Sequence, residues 1–141
     1  GAKDRYIEGL TRFRQSEEGA LAWIEQFAGA AARSATLAQR YLEEVQQLQT
    51  EWRERLRRGG EPRTDAAAWA VIDVLPAHPV ITAPVAAAAT GRSKAPIYEA
   101  LIQLQEARVL RPLSESRRNQ SRGSEGMLNL IAGLESGTMP A

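Results

Sequence analysis

Between Glu17 and Arg58 the chain places a residue of one face every three or four positions without a break: Leu21, Ile24, Ala28, Ala31, Ala35, Ala38, Leu42, Val45, Gln49, Trp52 and Leu56. Gln49 alone in that stripe is polar, and alternating spacings of three and four are the heptad signature of one side of an α-helix. Phe27, Leu37, Tyr41 and Leu48 form a second ridge beside it and widen the apolar face. Alanine, leucine, glutamine, glutamate and arginine dominate the segment, and all lose little on entering a helix. About 40 residues at 1.5 Å each make a rod of roughly 60 Å. Gly29 and Ser34-Ala35-Thr36 are the expected weak points, where the rod could kink or divide. A shorter helix, from about Lys3 to Arg14, is expected ahead of it, ended by the polar pair Gln15-Ser16.

So apolar a face requires a partner. Leu21, Ile24, Ala28, Leu42, Val45, Trp52 and Leu56 are therefore the expected contacts of a homodimer. The alternative is a helix that folds back on the rest of its own chain.

Arg58-Gly59-Gly60-Glu61-Pro62-Arg63 has two glycines, a proline and no apolar residue, so the helix must stop there. At 141 residues the chain is one ordinary domain or two small ones. The linker suggests a helical segment over 1–58 and a second domain over 64–135. Thr64 or Asp65 should cap a helix from Ala66 to Leu75, closed by Pro76 and Pro79. Val80-Ile81-Thr82 is short enough only for a strand. Pro84 opens a helix through Ala89, Thr90-Gly91 makes a turn, and Ser93 caps a helix that ends near Ala107. Val109 to Leu113 reads as a strand, 114–122 as a polar loop with a return strand, and Glu125 to Leu134 as a last helix.

That order predicts a mainly α chain: a long helical segment, then a winged helix-turn-helix domain with a small β-wing. The helix before the turn must be small-faced so that the next can cross it closely, which Ala86 to Ala89 supply. Gly91 suits a left-handed turn. The helix after the turn offers Ile97, Ala100, Leu101, Leu104 and Ala107 to a core, leaving Lys94, Ala95, Tyr98, Glu99, Ile102 and Gln103 for a major groove. Arg92, Ser93 and Lys94 stand at its N-terminus, where free N–H groups favour phosphate.

Net charge is only +1, but it is unevenly spread. Arg92, Lys94, Arg108, Arg111, Arg117, Arg118 and Arg122 outnumber Glu99, Glu106 and Glu115 within one supersecondary unit, a better sign of an anionic partner than the global balance. Double-stranded DNA is the expected partner. Its candidate contacts are Arg92, Ser93, Lys94, Ala95, Tyr98, Glu99 and Gln103, with Arg117, Arg118 and Arg122 from the wing. A protein-docking or dimerisation module is the alternative.

With no cysteine and only one histidine, His78, neither a metal site nor a nucleophile–base pair can be assembled, so no catalytic or metal-binding residue is expected. The absence of cysteine makes a reducing cytoplasm the natural setting, and no apolar run is long enough to span a membrane. The chain opens with Gly1-Ala2 rather than methionine, which suggests a piece of something longer.

The run WAVIDVLPAHPVITAPVAAAATGRSKAPIYEALIQLQEARVLRPLSESRRNQS, from Trp69 to Ser121, resembles the C-terminal winged-helix segment of bacterial Fic-family proteins. The stretch from Tyr6 to Leu56 is similar to the last helices of their Fic domain and the helix leading out of it. The ATGRS turn and the Arg117-Arg118-Asn119 run after the wing are its most specific parts. The resemblance implies a parent that transfers a nucleotidyl group, usually AMP from ATP, onto protein hydroxyls through an H-P-F-x-x-G-N-G-R loop. That loop is absent, because His78-Pro79 is followed by Val80 and no Gly-Asn-Gly-Arg occurs. ATP and Mg are thus implied only for the missing catalytic core, with no cofactor for this piece and a regulatory role for its winged helix. The family often places a tryptophan on the wing's return strand where this chain has Arg122, which implies a wing less anchored and slightly more basic.

Overall fold

The computed structural model describes residues 2–114 and 120–137, with side chains from residue 14 onward. One helix, α1 (Ala2–Arg58), takes up the first part of the chain. It passes through Gln15-Ser16, Gly29 and 34–36 without interruption, so the separate N-terminal helix is absent and the rod does not divide at either weak point. The physical reason is that no proline occurs in the segment, and a lone glycine in a long helix costs only about 1 kcal/mol. Arg55, Arg57 and Arg58 crowd the last turn, where positive charge suits the dipole. Gly59 and Gly60 then end the helix, their N–H groups donating to the carbonyls of Arg55 and Arg57.

Two compact units divide the chain at 1–39 and 40–141. The boundary therefore does not fall at the glycine linker. The last turns of α1 belong with the second unit because Val45, Trp52 and Leu56 are buried in its core.

The second unit continues with α2 (Ala67–Val74), β1 (Val80–Ile81), α3 (Ala83–Thr90), α4 (Lys94–Glu106), β2 (Leu110–Pro112), β3 (Arg122–Ser124) and α5 (Met127–Ser136). Its architecture is the expected winged helix-turn-helix. Neither Thr64 nor Asp65 caps α2: the N-cap is Ala66, which has no side-chain bond to give. Instead the helix is held by what it buries, Ala67, Ala68, Val71 and Ile72. For α3 the cap is Thr82, whose hydroxyl accepts from the Val85 N–H at 3.4 Å, with Pro84 in the first turn. Gly91 ends it in the left-handed region, φ 70°.

The end of α4 is unusual. Arg108 adopts φ 64° where glycine is the ordinary choice. Its N–H donates to the Gln105 carbonyl and the Val109 N–H to that of Leu104, the paired bonds of a Schellman stop.

The sheet is antiparallel with β3 central, flanked by β1 and β2. Val80 faces Gly123 and Ile81 faces Arg122, while Leu110, Arg111 and Pro112 face Ser124, Gly123 and Arg122. Ser124, buried among apolar residues, donates from both its backbone N–H and its hydroxyl to the Pro79 carbonyl. The core gathers Trp52, Val71, Ile72, Leu75, Ile81, Ile97, Leu101, Leu104, Val109, Leu110 and Met127, each essentially inaccessible.

Polar contacts fasten the end of α1 to this core. The Arg53 guanidinium meets Asp73 at 2.9 Å, and Arg57 lies over the Trp69 ring at 5.6 Å.

Candidate nucleic-acid interface

The geometry of the helix-turn-helix follows from the size of its side chains. Ala83 and Ala86 are the buried face of α3, and their lack of bulk lets α4 pack closely beside it. In α4, Ile97, Ala100, Leu101 and Leu104 are buried, the face expected from the 3.6-residue period.

The opposite side is open. Residues 91–96 are all exposed, and Tyr98, Glu99, Ile102 and Glu106 continue the outward face. Tyr98 and Ile102 are each 53% exposed, unusually free for large side chains on a short helix. Ser93 is the N-cap but its hydroxyl makes no cap bond, so both that hydroxyl and the first N–H groups of α4 stand toward solvent. Lys94 follows directly.

Two of the expected DNA contacts are bonded within the chain, and a third is turned toward the linker. The Arg92 guanidinium donates through Nη1 to the Asp65 carbonyl at 2.9 Å, tying the turn to the segment that leads into α2. Gln103 is half-buried on the flank of α4, where it lines an open groove of about 580 Å³ with Pro62, Asp65, Arg92 and Glu99. It faces the linker rather than outward, because the period carries it around the helix beyond Glu99. Arg122 donates from Nε to Gln105 Oε1 at 3.0 Å, and its partial burial lowers its pKa below the ordinary arginine value. The return strand is therefore anchored to α4 by this arginine, contrary to the expected looser wing. Arg117 and Arg118 lie outside the described residues.

Glu106 also belongs to this face, although the expected DNA contacts did not include it. Extending the same period one further turn places it beside Ile102. The outward face of α4 thus carries Lys94 against two acids, Glu99 and Glu106. Arg108 and Arg111 are exposed nearby in the chain, on the stop of α4 and on β2.

The expected dimer contacts separate into two groups. Val45, Trp52 and Leu56 are 8%, 0% and 3% exposed inside their own chain, so they are core residues and are not available to a second copy. Leu21, Ile24, Ala28 and Leu42 are exposed.

Among the described residues no helix is long and apolar enough to cross a membrane. No protein-family model matches the chain, and none of the curated proteins matches it.

Proposed function

We propose that the winged unit binds double-stranded DNA, with α4 entering the major groove. The observation that carries this reading is the open N-terminus of α4: residues 91–96 exposed, the Ser93 hydroxyl unused, and Lys94 in the first turn. A phosphate placed there would meet free N–H groups, the positive end of the helix and an ammonium together. Tyr98 and Ile102, farther along the same face, offer apolar contact to thymine methyl groups. In this reading the chain is a regulatory module that acts as a homodimer in the cytoplasm. The resemblance to Fic-family proteins adds a parent that is a protein adenylyltransferase, whose ATP- and Mg-dependent chemistry resides outside these residues.

A second reading rests on the same face. Glu99 and Glu106 repel phosphate, and with Tyr98 and Ile102 they form an apolar ridge with an acidic margin, suited to a basic protein surface. Salt separates the two. Binding to mixed duplex fragments is to be measured from about 50 to 200 mM salt, a range over which several phosphate contacts produce a steep linear fall in log K. Absent or salt-insensitive association with DNA rejects the DNA reading.

A further inference from the structure

The first unit leaves bulky apolar groups in water. Leu21, Trp23, Ile24 and Phe27 are 56%, 64%, 54% and 63% exposed, with the Trp23 and Phe27 rings stacked at 5.6 Å. The helical period places Ile24 and Phe27 on the same side of α1 as Ala28, Ala31, Ala35 and Ala38, with Leu21 and Trp23 on either edge. The face is therefore bulky in its first half and small in its second.

We infer that this face pairs with the same face of a second copy in antiparallel orientation, about a two-fold axis between Gly29 and Ala30. The inference deepens the homodimer proposed above and confines its interface to the first unit, free of Val45, Trp52 and Leu56.

Size complementarity is the first argument. In an antiparallel pair the heptad positions meet as Leu21 on the partner's Ala38, Ile24 on the partner's Ala35, and Ala28 on the partner's Ala31. The two outer layers each combine a large side chain with a small one, so the helices keep one separation along the contact. A parallel pair would stack Leu21 on itself and Ile24 on itself at one end, and alanine on alanine at the other. The helices would then splay or leave voids.

Charge points the same way. From Glu17 to Arg40 the acids Glu17, Glu18 and Glu25 all lie in the bulky half, and the bases Arg33 and Arg40 in the small half. Antiparallel pairing lays the acidic stretch along the basic one, whereas parallel pairing sets like on like. Most of these groups sit toward the outer side of the helix, so they select orientation more than they add affinity.

The chain has no cysteine, so introduced thiols report alone. Two full-length single variants, Leu21→Cys and Ala38→Cys, are oxidised separately and as a mixture. An intermolecular disulfide requires Cα atoms within about 7 Å. The antiparallel pair gives cross-linked dimer in the mixture and none from either variant alone. Cross-linking of each variant alone shows a parallel pair and overturns the orientation while leaving a homodimer. No cross-link in any sample, or a wild-type chain that sediments as a monomer at high concentration, overturns the interface. Phe27→Glu provides the second measurement, with a fall to monomer expected while the thermal transition of the winged unit stays in place. Duplex binding is followed independently, so a wild-type chain that is monomeric yet binds DNA rejects the pairing and leaves the DNA reading standing.

Discussion

The indole N–H of Trp52 donates to the Glu125 carbonyl oxygen at 3.1 Å, joining the last turns of α1 to the turn between β3 and α5. The Glu125 N–H in turn donates to the Val109 carbonyl beside the stop of α4. One buried side chain thus connects the long helix, the wing and the end of the candidate recognition helix. Trp52→Phe keeps most of the buried ring but leaves that carbonyl without its donor, and should destabilise the winged unit by about 1–3 kcal/mol. Trp52→Ala also opens a cavity, raising the loss to about 3–5 kcal/mol. Urea unfolding followed by circular dichroism measures both. Equal stability of the three proteins would mean that α1 is not part of this core.

Gly126 serves the same junction. It has φ 88°, and a Cβ added there would stand 2.7 Å from Leu48 Cδ2 of α1. Gly126→Ala should therefore lose about 1–2 kcal/mol to the left-handed backbone alone, with the clash in addition. Leu48→Ala removes the clash but not the backbone cost. In a double-mutant cycle the pair should cost less than the sum of its parts. Strict additivity would place Leu48 away from Gly126.

Arg108 offers the opposite change. Its φ of 64° is an arginine in a glycine position at the Schellman stop of α4. Arg108→Gly relieves that backbone and should stabilise the unit by about 1 kcal/mol, read as a higher urea midpoint. A lower midpoint would show that contacts of the arginine side chain outweigh the strain.

Much of this architecture was legible in the residues. Pro84, Gly91 and the spacing of Ile97, Ala100, Leu101 and Leu104 located the helix-turn-helix and the buried face of α4. The heptad stripe correctly indicated a long helix with an apolar side. Periodicity, however, identifies a face that needs cover without naming what covers it. Trp52 and Leu56 therefore looked like the contacts of a second chain although they fill the core of their own. The glycine linker misled for a related reason, since it marks where the backbone turns while the packing continues across it. Nothing local in the sequence marks Arg122 as a structural residue rather than a wing contact to DNA, because its partner, Gln105, is seventeen residues away.

Arg122 separates a structural arginine from a phosphate-binding one. Arg122→Ala frees Gln105 and loosens β3 from α4, so a lower thermal midpoint is expected with the salt slope of DNA binding unchanged. On the DNA reading, Lys94→Ala should do the reverse, leaving the midpoint in place and flattening the slope by about 1, as expected for the loss of one phosphate contact. An Arg122→Ala protein that is fully stable but has a flatter slope would return Arg122 to the interface.

Glu99 and Glu106 give the sharpest comparison between a nucleic-acid and a protein partner. Both are exposed on the outward face of α4, on either side of Ile102 in sequence and beyond Lys94 toward the end of the helix. If that face lies in a major groove, each carboxylate stands near phosphates of the same sign. Replacing both with glutamine then tightens duplex binding, most at low salt and progressively less as the Debye length shrinks from about 10 Å at 0.1 M to 3 Å at 1 M. If the face docks on a basic protein surface, the same substitutions remove attraction and leave affinity for DNA unchanged. Tyr98→Ala completes the comparison. A residue that reads bases changes the preference among duplexes more than the mean affinity, whereas one that only packs against the backbone lowers affinity for every sequence alike. Titration of wild type, Glu99→Gln/Glu106→Gln and Tyr98→Ala against the same set of duplexes measures both effects. Unchanged DNA affinity in the glutamine variant, with unchanged preference in Tyr98→Ala, would remove α4 from any groove.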